Sequence, residues 1–266
     1  MADGSRMFIC TPEGLRFWAG YINVIIKAYR HKKSWAGTFS LSDLRMSGHQ
    51  CRVSLLPVHA ASFENLLLDL SKLATLLVNY YKDSDNNNQP EVYVNLLYIS
   101  ISSFPKFPPS DLSAHEKYIN FIQTHLAMRS ARQRRMFLSN LSKAHNAMGP
   151  AERSLFDSSV NRVNVGDWRL LALNNVFMNR VVTYKPRKAP YAYCIGPLPL
   201  FRFIRNFIEH GGDRDAAGVQ LCSNLTDLKL LGEDFIAQFT VNLMYELIKG
   251  SNLTGTNPLQ ATSQAF

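Results

Sequence analysis

LFRFIRNFIEH, Leu200 to His210, is the stretch on which the reading of this chain turns. On a helical wheel, Leu200, Phe201, Phe203, Ile204, Phe207 and Ile208 fill one arc. Arg202, Arg205, Asn206, Glu209 and His210 fill the other, with no intruder on either side. Such segregation predicts a helix that packs its apolar arc on a core and ends at Gly211-Gly212. The polar arc would then hold guanidinium, amide and imidazole groups on one rigid surface, with Asn206 and His210 one turn apart. Phosphodiester cleavage without a metal can use these groups. Arginine matches phosphate oxygens, an amide adds a neutral donor, and histidine can protonate the departing 5′-oxygen near neutral pH. A plain solvated face has the same composition, because a C-terminal histidine favours the helix dipole and Arg/Glu pairs sit easily in water.

Outward from this helix the periodicity is mostly helical, and the fold class read from it is mainly α. Helices are predicted at Gly14 to Arg30, Phe63 to Tyr81, Ala114 to Met128, Ser130 to Asn146, Pro150 to Val163, Trp168 to Val181 and Glu233 to Lys249. The stretch between Arg30 and Arg52 is polar and glycine-bearing, and KDSDNNNQP after Tyr81 reads as a solvated loop. VYVNLLYISI, Val92 to Ile101, is open between strand, from its β-branched and tyrosine content, and helix, from its neighbours. FPKFPPSD connects it to the next helix, with Ser110 or Asp111 as N-cap. Residues 251–266 read as a frayed tail.

Composition narrows the function classes. Hydrophobic residues make up 46% and charged residues 18% of the 266, which predicts a packed, globular chain. Basic residues exceed acidic ones by 29 − 20 = 9, so polyanions, nucleic acid or an acidic membrane face, are the favoured partners. No stretch spans a bilayer: Leu66 to Val78 comes nearest and is broken by Asp69 and Lys72. The N-terminus has no basic start followed by an apolar run, so no secretory signal is expected. Cys10, Cys51, Cys194 and Cys222 are scattered, as expected for reduced thiols in cytosol or nucleus. On that reading the sequons at Asn140, Asn224 and Asn252 are chance. The histidines and cysteines show no zinc-site spacing, so neither metal nor cofactor is expected.

RFIRNFIEH, Arg202 to His210, resembles the signature helix of the kinase-extension-nuclease (KEN) domain, the ribonuclease region shared by ribonuclease L and the endoplasmic-reticulum stress-sensor kinase/ribonuclease. AMRSARQRRMFLSNLSKAHN, Ala127 to Asn146, resembles the family's entry segment. GDWR at Gly166 to Arg169 resembles its tryptophan motif, and GEDFIAQFTVNLMYELIKG, Gly232 to Gly250, its closing helix. The resemblance implies a helical nuclease domain over 127–250. It also implies that Arg205 and Asn206 contact phosphate, His210 acts as general acid, and an upstream tyrosine acts as general base. Measured from Trp168 that tyrosine is Tyr184; measured back from the helix it is Tyr191 or Tyr193. Arg202, Lys185, Arg187 and Lys188 are candidate RNA contacts, as are Arg132 and Arg135 in the arginine cluster Arg129, Arg132, Arg134 and Arg135.

Residues 7–126 resemble a degenerate protein-kinase C-lobe, on which the nuclease domain would pack. LSDLRMSG, Leu41 to Gly48, stands where that fold has its metal-binding aspartate motif, with Asp43 a leftover or a turn residue. The glycine-rich loop, the strand lysine and the His-Arg-Asp aspartate are all missing, which excludes a protein kinase. The resulting expectation is a metal-independent endoribonuclease that leaves a 2′,3′-cyclic phosphate and pairs with itself or a related KEN protein. RNA is the expected partner and a membrane is not. The alternative is an inactive KEN-like RNA-binding or dimerisation module that modulates an intact relative.

Overall fold

The computed structural model describes residues 11–48, 50–82, 90–103, 110–183, 193–210 and 234–250. These are mainly helical. The chain divides into two compact units, residues 1–130 and 131–266.

The first unit is built on α1 (Pro12–Arg30), whose first turn is set by Pro12 and by the Thr11 hydroxyl accepting from the Gly14 amide at 3.1 Å. Its apolar stripe of Leu15, Trp18, Tyr21, Ile22, Ile25 and Ile26 is buried. The helix contacts α2 (Phe63–Val78), which Ser62 caps, and α4 (Leu112–Thr124), capped by Asp111 rather than Ser110. Residues Asn79–Tyr81 tighten into a 3-10 turn, so α2 ends three residues before the periodicity suggests. Val92–Ser102 is a helix, α3, which resolves the ambiguity of that segment. The buried Glu91 carboxylate accepts from the Val94 amide at 2.9 Å, and Tyr93, Val94, Leu97 and Ile101 bury one face. Capping and burial at period 3.6 thus outweigh the strand propensity of its valines and isoleucines.

The polar stretch after α1 holds two short antiparallel pairs. β1 (Lys33–Ser34) pairs with β4 (His59–Ala60), and β2 (Leu44–Ser47) with β3 (Gln50–Val53). β3 lies against α1 at Gly20, where an added Cβ would meet the Cys51 Sγ at 2.5 Å, so a larger residue there requires the Cys51 side chain to move. Asp69 on α2 fixes the turn after β1. Its carboxylate accepts from the Ser34 hydroxyl (2.6 Å), the Trp35 amide (3.1 Å) and the Gly37 amide (2.7 Å). These bonds hold Ala36 and Gly37 at positive φ, 49° and 72°. Asp43 is a turn residue: its carboxylate takes both the amide (2.8 Å) and the hydroxyl (2.7 Å) of Ser40.

The second unit begins with α5 (Ala131–Ala147) and α6 (Pro150–Asn161). The helix expected over Trp168 to Val181 is in fact two, α7 (Trp168–Asn174) and α8 (Val176–Val182). Asn175 breaks it by taking an extended conformation, and its side chain accepts from the Met178 amide at 3.2 Å, capping α8. α9 (Pro197–His210) packs against α5, α6 and α8, and α10 (Asp234–Gly250) against α6. The Arg162–Glu246 ion pair (2.7 Å) ties α10 to the end of α6. Gly211-Gly212 and residues 251–266 lie outside the described residues. No described helix is long and apolar enough to cross a membrane.

Replacing Asp69 with alanine strands two backbone donors, and should destabilise the first unit by about 3 kcal/mol. The expected readout is a lower urea midpoint with unchanged slope. The Ser40 hydroxyl, and then its amide, hold Asp43 below the usual carboxylate range. A depressed carboxylate stabilises above its unfolded pKa and loses that effect as pH falls through the folded value. Protection of the Ser54 amide, which donates to the Asp43 carbonyl at 2.8 Å, should therefore persist through the ordinary aspartate range. Hydrogen exchange should show Ser40→Ala moving its loss to higher pH.

Candidate functional site

α9 begins on two prolines, Pro197 and Pro199, in a turn whose amides have no helical partner. Gly196 before it takes φ 142°, a left-side conformation that L residues rarely adopt, and its carbonyl accepts from the Leu200 amide and the Trp168 indole, both at 3.1 Å. Asp167 of the GDWR segment caps α7 through the Leu170 amide and so fixes where Trp168 starts. Trp168 is fully buried and packs 5.1 Å from Phe203 and 6.2 Å from Tyr193, which itself meets Phe203 edge-on at 5.6 Å. This aromatic trio locks the apolar arc of α9 in place. All six apolar residues of that arc are buried, while Arg202 is exposed and Arg205 and Asn206 are half-buried.

The polar arc carries a connected series of groups. The Arg205 Nε (3.0 Å) and Nη2 (2.8 Å) both donate to the Asn206 Oδ1. The Asn206 Nδ2 donates in turn to the Tyr193 hydroxyl at 2.7 Å. Arginine can only donate, so the amide carbonyl must face it and the amide NH2 must face the phenol. A donor aimed at a phenol oxygen favours negative charge developing there. Tyr193 is thus the described tyrosine that reaches this face. The signal for it was its distance back from the helix, which does not separate it from Tyr191 two residues earlier.

His210 closes α9 by its backbone, and its imidazole is outside the described side chains. Tyr184, Tyr191, Lys185, Arg187 and Lys188 also lie outside the described residues. The arginine cluster is not one solvated face. Arg134 is buried, and burial lowers the pKa of Arg129. Arg135 donates to the Ile208 carbonyl at 3.3 Å, bracing the C-terminal end of α9, whereas Arg132 is exposed. Arg135 is therefore a positioning group for the helix as much as a candidate RNA contact.

Sequence reasoning passed over His145, whose Nε2 lies 2.9 Å from Asp157 Oδ1. The ring packs on Phe156 (4.9 Å) and Phe201 (5.9 Å), on the apolar side of α9, so the pair joins α5 to α6 rather than serving the polar arc. Two cavities lie elsewhere. One of about 790 Å³ runs along α6 between Arg153 and Arg162, and one of about 610 Å³ in the first unit is lined by Phe17, Tyr21, Leu77 and Tyr81 among others. Among the described residues, no three His, Cys, Asp or Glu side chains converge to hold a metal ion. The chain matches no protein-family model, no curated protein and no solved structure.

Removing the indole with Trp168→Ala should cost about 3–5 kcal/mol in urea unfolding. Tyr193→Phe keeps the ring packing and loses the phenol–amide bond, for about 1 kcal/mol.

Proposed function

We propose that the second unit is a metal-independent endoribonuclease of the KEN type. The observation that carries the reading is the Arg205–Asn206–Tyr193 series on the polar arc of α9. In this reading a tyrosine at the face takes the proton of the RNA 2′-hydroxyl, whose oxygen then attacks the adjacent phosphorus. Arg205 and Asn206 offset the charge of the phosphorane, and His210 gives a proton to the departing 5′-oxygen. The products are a 2′,3′-cyclic phosphate and a free 5′-hydroxyl, with no metal in the balance. Exposed Arg202 and Arg132 would contact flanking phosphates. Self-pairing, or pairing with a related chain, would assemble a longer RNA track.

A second reading, an RNA-binding or dimerisation module without turnover, is favoured by one feature. Arg205 and Asn206 are bonded to each other and Asn206 to the nearly buried Tyr193, so the series is held together within the protein without a phosphate.

Single-stranded and structured RNA incubated with the full chain in EDTA separates the two. Cleavage to cyclic phosphate ends should fall about 10²- to 10⁴-fold in Arg205→Ala and His210→Ala. Equal cleavage by wild type and both variants would sink the nuclease reading, and binding without any cleavage would favour the module. In either case Arg202→Ala should flatten the dependence of log affinity on log salt by about 0.7 for a single strand.

A further inference from the structure

The first unit carries a cationic surface that neither reading uses. Lys27, Arg30, Lys32, Lys33, Arg45 and Arg52 are all exposed; between Lys27 and Phe63 the single acidic residue is Asp43, with exposed Glu64 next in sequence and Glu116 near Tyr29. The Asp43 carboxylate is already engaged by Ser40. Arg45 and Arg52 stand directly opposite each other across the β2–β3 pair. Like charges in that register repel, and an anion between them relieves the repulsion.

Beside these cations is an aliphatic loop facing water. Leu56 and Val58 are 76% and 78% exposed, and Leu55 is exposed as well. The loop is pinned at both ends. Before it, the Ser54 amide donates to the Asp43 carbonyl (2.8 Å) and the Leu55 carbonyl accepts from the Trp35 indole (2.7 Å). After it, His59 and Ala60 pair with Ser34 and Lys33. The exposed leucine and valine thus lie in a pinned loop between Arg52 and the strand that pairs with Lys33.

We propose that this loop is a docking surface for an anionic lipid bilayer, with Leu56 and Val58 entering the headgroup–acyl boundary and the cations meeting lipid phosphates and carboxylates. RNA fits less well. Single strands stack on aromatic rings, and isobutyl and isopropyl groups offer no such platform. No described helix is long and apolar enough to cross a bilayer, which is silent on contact with its surface. This proposal shares no residues with the α9 face, so either assignment stands if the other fails.

Flotation of the full chain with phosphatidylcholine vesicles, with and without phosphatidylserine, tests it, alongside a single-stranded RNA oligonucleotide. The expected result is salt-sensitive binding to serine-lipid vesicles and none to pure phosphatidylcholine, with RNA binding unchanged by substitutions at Arg45 and Arg52. Leu56→Ser with Val58→Ser should weaken it at least tenfold, and Arg45→Gln with Arg52→Gln about thirtyfold. All four positions are exposed, and matched thermal melts would verify folding. Absence of vesicle binding, or binding indifferent to the Leu56/Val58 pair, overturns the proposal. So does an arginine pair whose loss weakens RNA binding while vesicles remain unbound, which would assign the surface to RNA.

Discussion

The indole of Trp168 does two jobs with one side chain. Its ring faces Phe203 and Tyr193, and its N–H reaches the carbonyl of Gly196 immediately before α9. Where α9 starts and how it is rotated are therefore set by the same residue. A helix of this composition could slide or roll if only hydrophobic area held it, because area is not directional. The hydrogen bond removes the slide, and the edge-on aromatic contacts remove the roll. Once both are fixed, Arg205, Asn206 and Tyr193 fall into register without further instruction.

The first unit uses a different constraint for a similar end. Asp69 reaches from α2 to gather Ser34, Trp35 and Gly37, bending the chain back after β1 through a left-handed pair of residues. A buried carboxylate is costly unless its lone pairs are met, and here three donors meet them. The short strands and the hairpin follow from that bend and from the absence of a side chain at Gly20.

Much of this architecture was legible in the sequence, for identifiable reasons. Leu200 to His210 announced itself because its two arcs are unmixed, and α1 and α2 because their apolar residues recur at helical spacing. Val92 to Ser102 was ambiguous because its apolar residues surround the helix instead of forming a stripe; the deciding group, Glu91, stands outside the run. The break at Asn175 was missed because asparagine tolerates a helix and a cap alike, and only the tertiary context chooses. The β pairs between Arg30 and Phe63 are two to four residues long and leave too short an alternation to read. At the site, residue type pointed to Arg205 and Asn206. Sequence alone leaves the tyrosine open among Tyr184, Tyr191 and Tyr193, and of these Tyr193 alone lies among the described residues.

The division of α9 into two arcs has a consequence for how such a chain can change over time. Within α9 itself, the buried residues and the polar residues that could meet a phosphodiester share no positions, although Tyr193 outside the helix belongs to both sets. Arg205 and Asn206 bond along one edge, and most of the packing lies beneath them on the other. A lineage can therefore exchange the polar letters while keeping almost every contact that folds the unit. Selection for stability alone preserves the scaffold and leaves the polar arc unguarded, so the shape of this domain and the character of that face are inherited on separate terms.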